Sequence, residues 1–533
     1  MSDSATAPPA ARRPEDEKLG IGKSFGYGLQ HVLTMYGGII APPLIIGGAA
    51  GVSVDEQALL IACCLFVGGL ATILQSFGIR FFGSQLPLVQ GTSFASVATM
   101  TAIVSGPGGI QAVFGAVLVS AAIGFLIAPF FARIVRFFPP VVTGVVIAAI
   151  GLSLFPVAGG WIMGDDPEAP EYASLGNIAL GFATLLIILL LSKLGNAAIS
   201  RLSILLGIVL GTVLAGFTGQ ADFSAIGDGD FFAVPTPLAF GPPVFEVASI
   251  ISMTIVVLVI LTETAADIIA VGEIVDTDVD RRRIADGLRA DMGASFLAPL
   301  MNSFTQSAFA QNVGLVAITG VRSRFVVTAG GAILVTLGLL PVLGRVVAAI
   351  PSPVLGGAGI ILFGTVAVSG IRTLGKVGYD GTGNMVIVAA SLGAAMLPIV
   401  NPDIYISFPT WFQTIFHSGI SSAAVVAVLL NLLFNELRIG NPPEGEGSVF
   451  ARAPLRAVTY ASLAHLREQL QEGDHVEGGR LVDCNGQEVP VITAEGEVVD
   501  VSICDVDEIG TGPAAPAEGE PAVPAAPRGD TAR

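Results

Sequence analysis

The sequence predicts an all-α polytopic membrane protein with about fourteen transmembrane segments, arranged as two inverted repeats of seven. Three observations predict this fold. The chain has 533 residues, of which 53% are hydrophobic and only 13% are charged, and its mean hydropathy of +0.77 is too high for a soluble globular protein of this length. Basic residues alternate from loop to loop, and short motifs of the first half recur in the second.

Twelve continuous apolar stretches are long enough to cross a bilayer as helices, which takes about 20 residues. We predict them at 25–49, 57–79, 109–132, 139–160, 175–193, 199–217, 247–272, 285–301, 325–348, 353–371, 383–400 and 413–435. Two more stretches, 85–104 and 303–321, are interrupted by Gly, Pro and polar residues, and we interpret them as broken third and tenth spans. Irregular backbone at membrane depth is tolerated where it lines a cavity, so these breaks indicate a binding site.

Loop charge tests this count, because cytoplasmic loops of membrane proteins collect Lys and Arg. With the N-terminus inside, the inner side carries Arg80, Arg133, Arg136, Lys193, Arg201, Arg281, Arg282, Arg283, Arg289, Arg322, Arg324, Arg372, Lys376 and Arg438, whereas the outer loops carry mainly acids. Only Arg345 falls on the outer side. A miscounted span would scramble this alternation, so the pattern supports fourteen spans with both termini in the cytoplasm.

An internal repeat explains the exception. GAVLV at 115–119 recurs as GAILV at 331–335, and Arg133 recurs in a matching context as Arg345. An odd number of spans inverts the second copy, so Arg345 is outside because Arg133 is inside. Inverted repeats that each contain a discontinuous helix are typical of secondary transporters, which bind substrate near the midplane where the breaks meet.

Composition sets the predicted domain boundaries. Residues 1–24 form a cytoplasmic segment, and 25–438 form the membrane domain, with repeat one at about 25–217 and repeat two at about 247–438. A soluble tail follows at 439–510, with a helical pattern at 459–472 and strand-like alternation at 480–504 that suit a small folded unit, and 511–533 has a disordered composition.

Charge and cysteine content predict no further ligand. The net charge of −17 comes from acids in the tail and loops, which we interpret as solvated surface, and we expect no nucleic acid to bind. The four cysteines lack metal-ligand spacing, so we expect no metal and no cofactor. No catalytic constellation is evident.

Two acids lie within the predicted eighth span. Glu263 and Asp267 are four residues apart and therefore share one helical face. A carboxylate at membrane depth is costly unless it faces a cavity, a ligand or a counter-charge, so we expect Glu263 to act in a binding site. Asp267 is nearer the cytoplasmic end, where contact with water is an equally good explanation.

The second break contains Gln311 and Asn312 at the start of a short helix, whose N-terminal N–H groups would point into the site. A primary amide offers a donor and an acceptor side by side, which match the N–H and C=O edge of an oxidised heterocycle. Alternatively the amides only satisfy broken backbone, and for Asn312 this is the stronger alternative. In the first break, Ser93 supplies a hydroxyl and Phe94 an aromatic face for stacking a planar ring.

Two further residues have open interpretations. His31 is alone in the first span, and such a histidine is more often a structural hydrogen-bonding residue than a proton carrier. Asp291, at the start of the ninth span, could cap that helix or pair with a nearby arginine.

At these residues the sequence resembles the nucleobase/ascorbate transporter family of secondary transporters, over about 25–438. The family signature is Gln or Glu, Asn, any residue, Gly, four residues, Thr, and then Arg, Lys or Gly. It is matched here from Gln311 to Gly320, with Thr319 at the threonine position, and LQHVLTMY, GTSF and TETAAD are similar to the family's other motifs.

The resemblance implies a core domain of spans one to four and eight to eleven, which holds the substrate and moves like an elevator against a gate domain that forms a homodimer. It implies substrate contacts from Glu263, Gln311, Phe94, Ala310 and Ser93, and supporting or coupling roles for Asn312, Asp267, Asp291, His31 and Thr319. Members with Glu at the first signature position look like uracil transporters and those with Gln like xanthine or urate transporters, so the signature here favours an oxopurine.

Two departures from the family are evident: Val313 replaces an Asn common in several xanthine transporters, and Ala265 with Ala266 replaces a Gly-containing pair. We expect a non-enzymatic permease of the inner membrane that imports xanthine or urate with protons, sodium being less favoured. The alternatives are a permease for uracil or another nucleobase, and an anion exchanger or channel of the same fold, which Glu263 disfavours. A membrane enzyme or sensor acting through the tail is weakened by the lack of catalytic residues there.

Overall fold

A computed structural model describes residues 13–131, 138–221, 223–227, 231–379, 383–437, 458–459, 475–477, 480–482, 489 and 491–492. The chain separates into two units, Met1–Glu446 and Gly447–Arg533. All fourteen predicted spans belong to the first unit.

Among the described residues, the first repeat contains nine α-helices and one short strand. They are α1 Ile21–Ala50, α2 Val54–Phe77, β1 Gln90–Thr92, α3 Phe94–Val104, α4 Gly109–Ile127, α5 Pro140–Ser153, α6 Phe155–Met163, α7 Leu175–Leu194, α8 Ala197–Arg201 and α9 Ser203–Phe217. Helices α5 and α6 together make the fifth span, and α8 and α9 the seventh. The third span consists of β1 followed by α3, so it is broken where the sequence predicted.

The second repeat follows the same plan. It contains α10 Val247–Val275, α11 Arg281–Leu297, β2 Gln306–Ala308, α12 Ala310–Thr319, α13 Arg324–Gly338, α14 Pro341–Ala348, α15 Ser352–Leu374, α16 Asn384–Val400, α17 Thr410–Phe416 and α18 Gly419–Asn431. The tenth span is β2 followed by α12. Helices α13 and α14 form one span bent by 79°, and α17 with α18 forms the last. The predicted fold class is therefore confirmed.

Length and polarity explain which segments are continuous helices. In the part of the chain that the structure describes, seven spans are each long and apolar enough to cross a membrane alone. The ninth span is a helix of full length but begins with Arg281, Arg282 and Arg283. Side-chain caps fix several helix starts: Ser53 and Glu56 form a capping box at α2, and the Asp280 carboxylate accepts from the Arg283 backbone N–H at α11.

Packing between the spans shows the inverted symmetry. Helix α1 packs on α13 as its counterpart α10 packs on α4, and α2 packs on α13 as α11 packs on α4. Helices α5 and α15 are counterparts that pack on each other. Their contact is close because Gly151 faces the backbone of Ala367, and Gly370 faces the backbone of Ala148. Small residues let membrane helices approach in this way.

The two broken spans cross at the symmetry axis. Strands β1 and β2 pair antiparallel, with Gly91 opposite Ser307 at the centre. The spacing between Gly91 and Ser307 equals that between the first glycines of GAVLV and GAILV, so the strand register and the sequence repeat share one axis. A hydroxyl from the preceding span supports each strand: Thr72 accepts from the Gln90 backbone N–H at 2.9 Å. Its counterpart Ser295 accepts from the Gln306 N–H at 2.8 Å.

Hydrogen bonds of the N-terminal segment test the predicted sidedness of the loops. Glu15 pairs with Arg283, and Asp16 accepts from Arg324 at 2.7 Å, so loops eight–nine and ten–eleven lie on the same face as this segment. Arg345 instead donates to the Ile226 carbonyl at 3.3 Å, in the loop between spans seven and eight. Arg345, at the end of the eleventh span, therefore lies on the same side as the loop between spans seven and eight, as the repeat predicted.

The described residues of the second unit form two strand pairs. Strand β3 Val458–Thr459 pairs parallel with β6 Val491–Ile492, and β4 His475–Glu477 pairs antiparallel with β5 Arg480–Val482. The predicted helix at 459–472 lies outside the described residues except for its first position, as do Arg133, Arg136, Arg438 and 511–533. The domain boundaries stay predictions.

Candidate functional site

A cavity of about 230 Å³ lies where the two broken spans cross. All five residues predicted to contact substrate line it, namely Ser93, Phe94, Glu263, Ala310 and Gln311. Pockets for drug-sized ligands have volumes of roughly 300–1,000 Å³, so this cavity suits a smaller molecule. Both broken spans therefore contribute residues to one cavity, as the sequence predicted.

The N-termini of both half-helices face the cavity. Helix α3 begins at Phe94 and is capped by Ser93, whose Oγ accepts from the Ala95 N–H at 3.3 Å. Helix α12 begins at Ala310 after Phe309, and no side chain caps it. The first N–H groups of a helix lack intrahelical partners and attract polar or anionic groups, so the start of α12 is the better backbone donor. The Ser93 hydroxyl is partly used by its own helix.

Glu263 and Gln311 present their side chains to the cavity from α10 and α12. Neither side chain hydrogen-bonds to any residue that the structure describes. A carboxylate accepts hydrogen bonds only, whereas a primary amide both donates and accepts. Together they offer a complementary pair of partners to a ligand with adjacent N–H and C=O groups.

Asn312 lies behind the cavity and does not line it. Its amide Nδ2 is 3.0 Å from Nδ1 of His31 and 3.2 Å from the His31 carbonyl oxygen, and both residues are buried. Nδ1 therefore accepts, which leaves a neutral ring with its proton on Nε2. These bonds join α12 to α1 and agree with the structural interpretation of His31 and the supporting one of Asn312.

Asp291 occupies a different place from the two that were expected. It lies within α11 instead of at its start, where Asp280 is the cap, and it forms no ion pair with a described arginine. Its Oδ2 accepts from the Thr264 hydroxyl at 2.7 Å. Both earlier interpretations were wrong because a bond to a neighbouring span satisfies the carboxylate, and a single segment cannot show that contact.

Asp267 and Thr319 are also separate from the cavity lining. Asp267 is half-buried one turn beyond Glu263, and its Oδ2 has no hydrogen-bond partner among the described residues. Thr319 is the last residue of α12, and its hydroxyl donates to the Leu315 carbonyl at 2.8 Å. Gly320 follows with φ +65°, so this part of the signature ends the half-helix.

Sequence reasoning missed several residues that line the cavity. Phe309 contacts Phe94 edge to face, with ring centroids 6.4 Å apart, and Ser307 lies beside it. The repeat could have found these two, because they match Ser93 and Gly91 of the first break. Thr365, Ser369 and Arg372 also line the cavity, from the twelfth span, and no signal in a single sequence indicates that contact.

Buried hydroxyl contacts join α3 and α10 of the core to α18. Thr99 of α3 lies 2.8 Å from Ser418, which caps α18, and Ser252 of α10 lies 3.2 Å from Ser421 of α18. All four are buried. The cavity lining includes Arg372, in the last turn of α15. Alternation of the spans places that end on the face that carries the N-terminal segment.

The helical bundle and its cavity together indicate what kind of protein this is. A small polar cavity at the N-termini of two opposed half-helices, within an inverted-repeat bundle, is the arrangement of a membrane transporter. The family model Xan_ur_permease, described as a permease family, matches residues 22–404. The chain therefore belongs to this family, the nucleobase/ascorbate transporters.

Named relatives and solved structures agree with that membership. The chain is 41% identical to the uric acid transporter UacT of Escherichia coli (strain K12), over 79% of this chain and 89% of that protein. It is 39% identical to the xanthine permease of Bacillus subtilis (strain 168), over 78% and 94%. The transmembrane domain of a cyanobacterial bicarbonate transporter, BicA, matches with a TM-score of 0.50 at 14% identity, covering 77% of this chain and 96% of that chain.

A second solved structure is the murine Solute Carrier 26 family member A9 anion transporter in the inward-facing state. It matches with a TM-score of 0.52 at 14% identity, covering 78% of this chain and 69% of that chain. At this identity both solved structures share the fold alone.

Proposed function

We propose that the protein imports an oxopurine, xanthine or urate, by proton symport across the inner membrane, with both termini in the cytoplasm. The observation that carries the proposal is that Glu263 and Gln311 face one small cavity without any other described partner. Relatives named as a uric acid transporter and a xanthine permease support the substrate class.

The proposed binding mode follows from hydrogen-bonding capacity. Glu263 accepts from a ring N–H, and the Gln311 amide pairs with the adjacent N–H and C=O edge. Phe94 and Phe309 provide apolar ring surface beside the heterocycle. Uncapped N–H groups at Ala310 contribute backbone donors to an exocyclic oxygen.

Proton coupling is assigned to the carboxylates near the cavity. Asp267 and Asp291 each have one carboxylate oxygen without a described hydrogen-bond partner. Burying a carboxylate without a counter-charge is costly, and a bound proton removes that cost. A proton bound at one of these acids would favour the loaded core over the empty one, which is the differential binding that coupling requires.

The transport step is proposed to be an elevator movement of the core in a homodimer, as the family resemblance implies. The cavity supports it, since the core provides Glu263 and Gln311 while Ile147 and Thr365 come from gate spans. Substrate contacts from both sides would separate if the core moved. The hydroxyl contacts of Thr99 with Ser418 would break in the same step.

Uptake of labelled xanthine in cells expressing the protein tests the proposal. We expect competition by urate, little competition by uracil or ascorbate, and loss of uptake with a protonophore. Competition by uracil alone would contradict the oxopurine assignment. Uptake that persists with the protonophore but requires sodium would contradict proton coupling and leave the substrate assignment in place.

A further inference from the structure

One side of the cavity carries polar residues that the proposed hydrogen-bonding scheme for the ring does not use. Thr365, Ser369 and Arg372 line it from α15, at spacings of four and three residues, so they lie on one helical face. With a rise of 1.5 Å per residue, this stripe is about 10 Å long. It ends at Arg372, in the last turn of the twelfth span.

The charges of the lining are arranged along this path. Among the residues that line the cavity, Glu263 is the only acid and Arg372 the only base. Arg372 is exposed and forms no hydrogen bond or ion pair with another described residue. Its guanidinium is therefore free to act on a molecule that enters or leaves the cavity.

An anionic substrate would need such a cation. A negatively charged heterocycle that approaches the Glu263 carboxylate meets repulsion, and a positive charge at the mouth offsets it. A neutral heterocycle gains little from the same charge. Arg372 therefore distinguishes an anionic substrate from a neutral one, whereas Glu263 and Gln311 recognise the N–H and C=O groups along the edge of the ring.

We propose that Thr365, Ser369 and Arg372 form the cytoplasmic half of the substrate path, and that Arg372 is a specificity-determining residue that favours the anionic form of the oxopurine. This inference rests on the proposed function, because it concerns the same cavity and the same substrate class. Beyond the proposed function, the inference assigns a preference for the anionic substrate and a second substrate-binding surface, which the gate domain provides.

Binding of urate and xanthine to the purified full-length protein in detergent tests it. In slightly acidic buffer urate is mostly anionic and xanthine mostly neutral. We expect Arg372→Gln to weaken urate binding about three- to tenfold at low salt, and xanthine binding less than twofold. Arg372→Lys should keep most of the urate affinity. The urate effect should shrink from about 0.01 M to about 1 M salt, as the Debye length falls from about 30 Å to about 3 Å.

Lys376→Gln is the matched control, because Lys376 follows the same helix and carries the same charge but does not line the cavity. It should leave the urate to xanthine ratio unchanged. Retained xanthine binding shows that each variant is folded.

The two proposals fail in different ways. If the wild-type protein binds neither purine, the proposed function is overturned. If it binds xanthine, but Arg372→Gln changes urate and xanthine equally or changes neither, the charge preference is overturned and the permease assignment stands.

Discussion

The side-chain amide of Asn312 donates to two acceptors of His31, the ring Nδ1 at 3.0 Å and the backbone carbonyl at 3.2 Å. The first residue belongs to the half-helix of repeat two, and the second to the opening span of repeat one. Both are buried, with relative exposures of 0% and 2%. The bonds hold the start of α12, and so Gln311, in place against the rest of the core.

Asn312→Ala should destabilise the protein by about 1–3 kcal/mol, because it leaves buried acceptors of His31 without a donor. Thermal unfolding in detergent measures the loss. The control is a double-mutant cycle, which also measures His31→Phe and the variant that carries both substitutions. Residues in contact show interaction energies of about 0.5–3 kcal/mol in such cycles. Additive effects of the two substitutions would contradict a direct structural role.

Glu263→Gln should reduce oxopurine uptake about tenfold or more without loss of membrane insertion, because a hydrogen bond to a charged acceptor contributes about 1.5–3 kcal/mol. Initial uptake rates and the amount of protein in the membrane fraction check this. Glu273→Gln is the matched control, an exposed acid near the end of the same helix. Equal effects of both substitutions would remove Glu263 from the site.

Gln311→Glu should weaken xanthine and urate uptake and favour uracil, because the carboxylate cannot donate to a substrate carbonyl. We expect a loss of about tenfold for the oxopurines, which corresponds to about 1.4 kcal/mol. Competition profiles against labelled xanthine and labelled uracil measure the change. An unchanged competition profile would mean that the Gln311 amide does not hydrogen-bond to the substrate ring.

Gly151→Ala should destabilise the protein by about 1–3 kcal/mol, because a methyl group there would overlap the backbone of Ala367 between α5 and α15. Gly159→Ala is a matched control in the same span, since its added methyl meets open space. Replacing a helical glycine by alanine otherwise gains roughly 0.5–1 kcal/mol. The unfolding temperature should therefore fall for Gly151→Ala and rise for Gly159→Ala. Equal shifts of the two unfolding temperatures would contradict close packing at Gly151.

The N-terminal segment should open more readily in acid, because one of its two described ion pairs with the rest of the membrane domain is weakened. Desolvation raises the pKa of Asp16, but hydrogen bonds and charges from Arg324 and Arg13 together outweigh it, so the pKa lies below the ordinary value of 3.8. A carboxyl group with a lowered folded-state pKa stabilises the structure above its unfolded pKa, and this contribution disappears as the pH falls through the folded value. Hydrogen exchange of 13–20 should therefore rise below pH 3.8.

Asp16→Asn should produce the same exchange at neutral pH, since it removes the charge that Arg324 pairs with. Glu17→Gln is the control, because only backbone atoms of Glu17 are bonded among the described residues: its carbonyl accepts from the Ser323 hydroxyl, and its N–H donates to the Pro14 carbonyl. Protection of the segment that does not depend on pH or on Asp16 would contradict a stabilising role for the Asp16–Arg324 ion pair, beside the pair of Glu15 with Arg283.

Patterns in the sequence predicted the number of spans, the two breaks, the inversion of the repeats, and four of the five residues now found around one cavity, Ser93, Phe94, Glu263 and Gln311. The fifth, Ala310, was implied only by the family resemblance. The features predicted from patterns follow from local quantities. Bilayer thickness sets the length of an apolar helix, and polar residues at membrane depth must line a cavity or bind a partner. Glu263 and Gln311 were therefore evident without any knowledge of their neighbours.

Which segments face one another is evident only from the folded protein. The fold places Asn312 on His31 instead of on the cavity, gives Asp291 a partner in Thr264, and brings Arg372 to the cavity from a span whose sequence looks like ordinary membrane helix. The physical reason is that a helix's own periodicity records which face is apolar but not which distant helix packs against it. In a bilayer that choice depends on close backbone contacts and single hydrogen bonds between residues far apart in the chain.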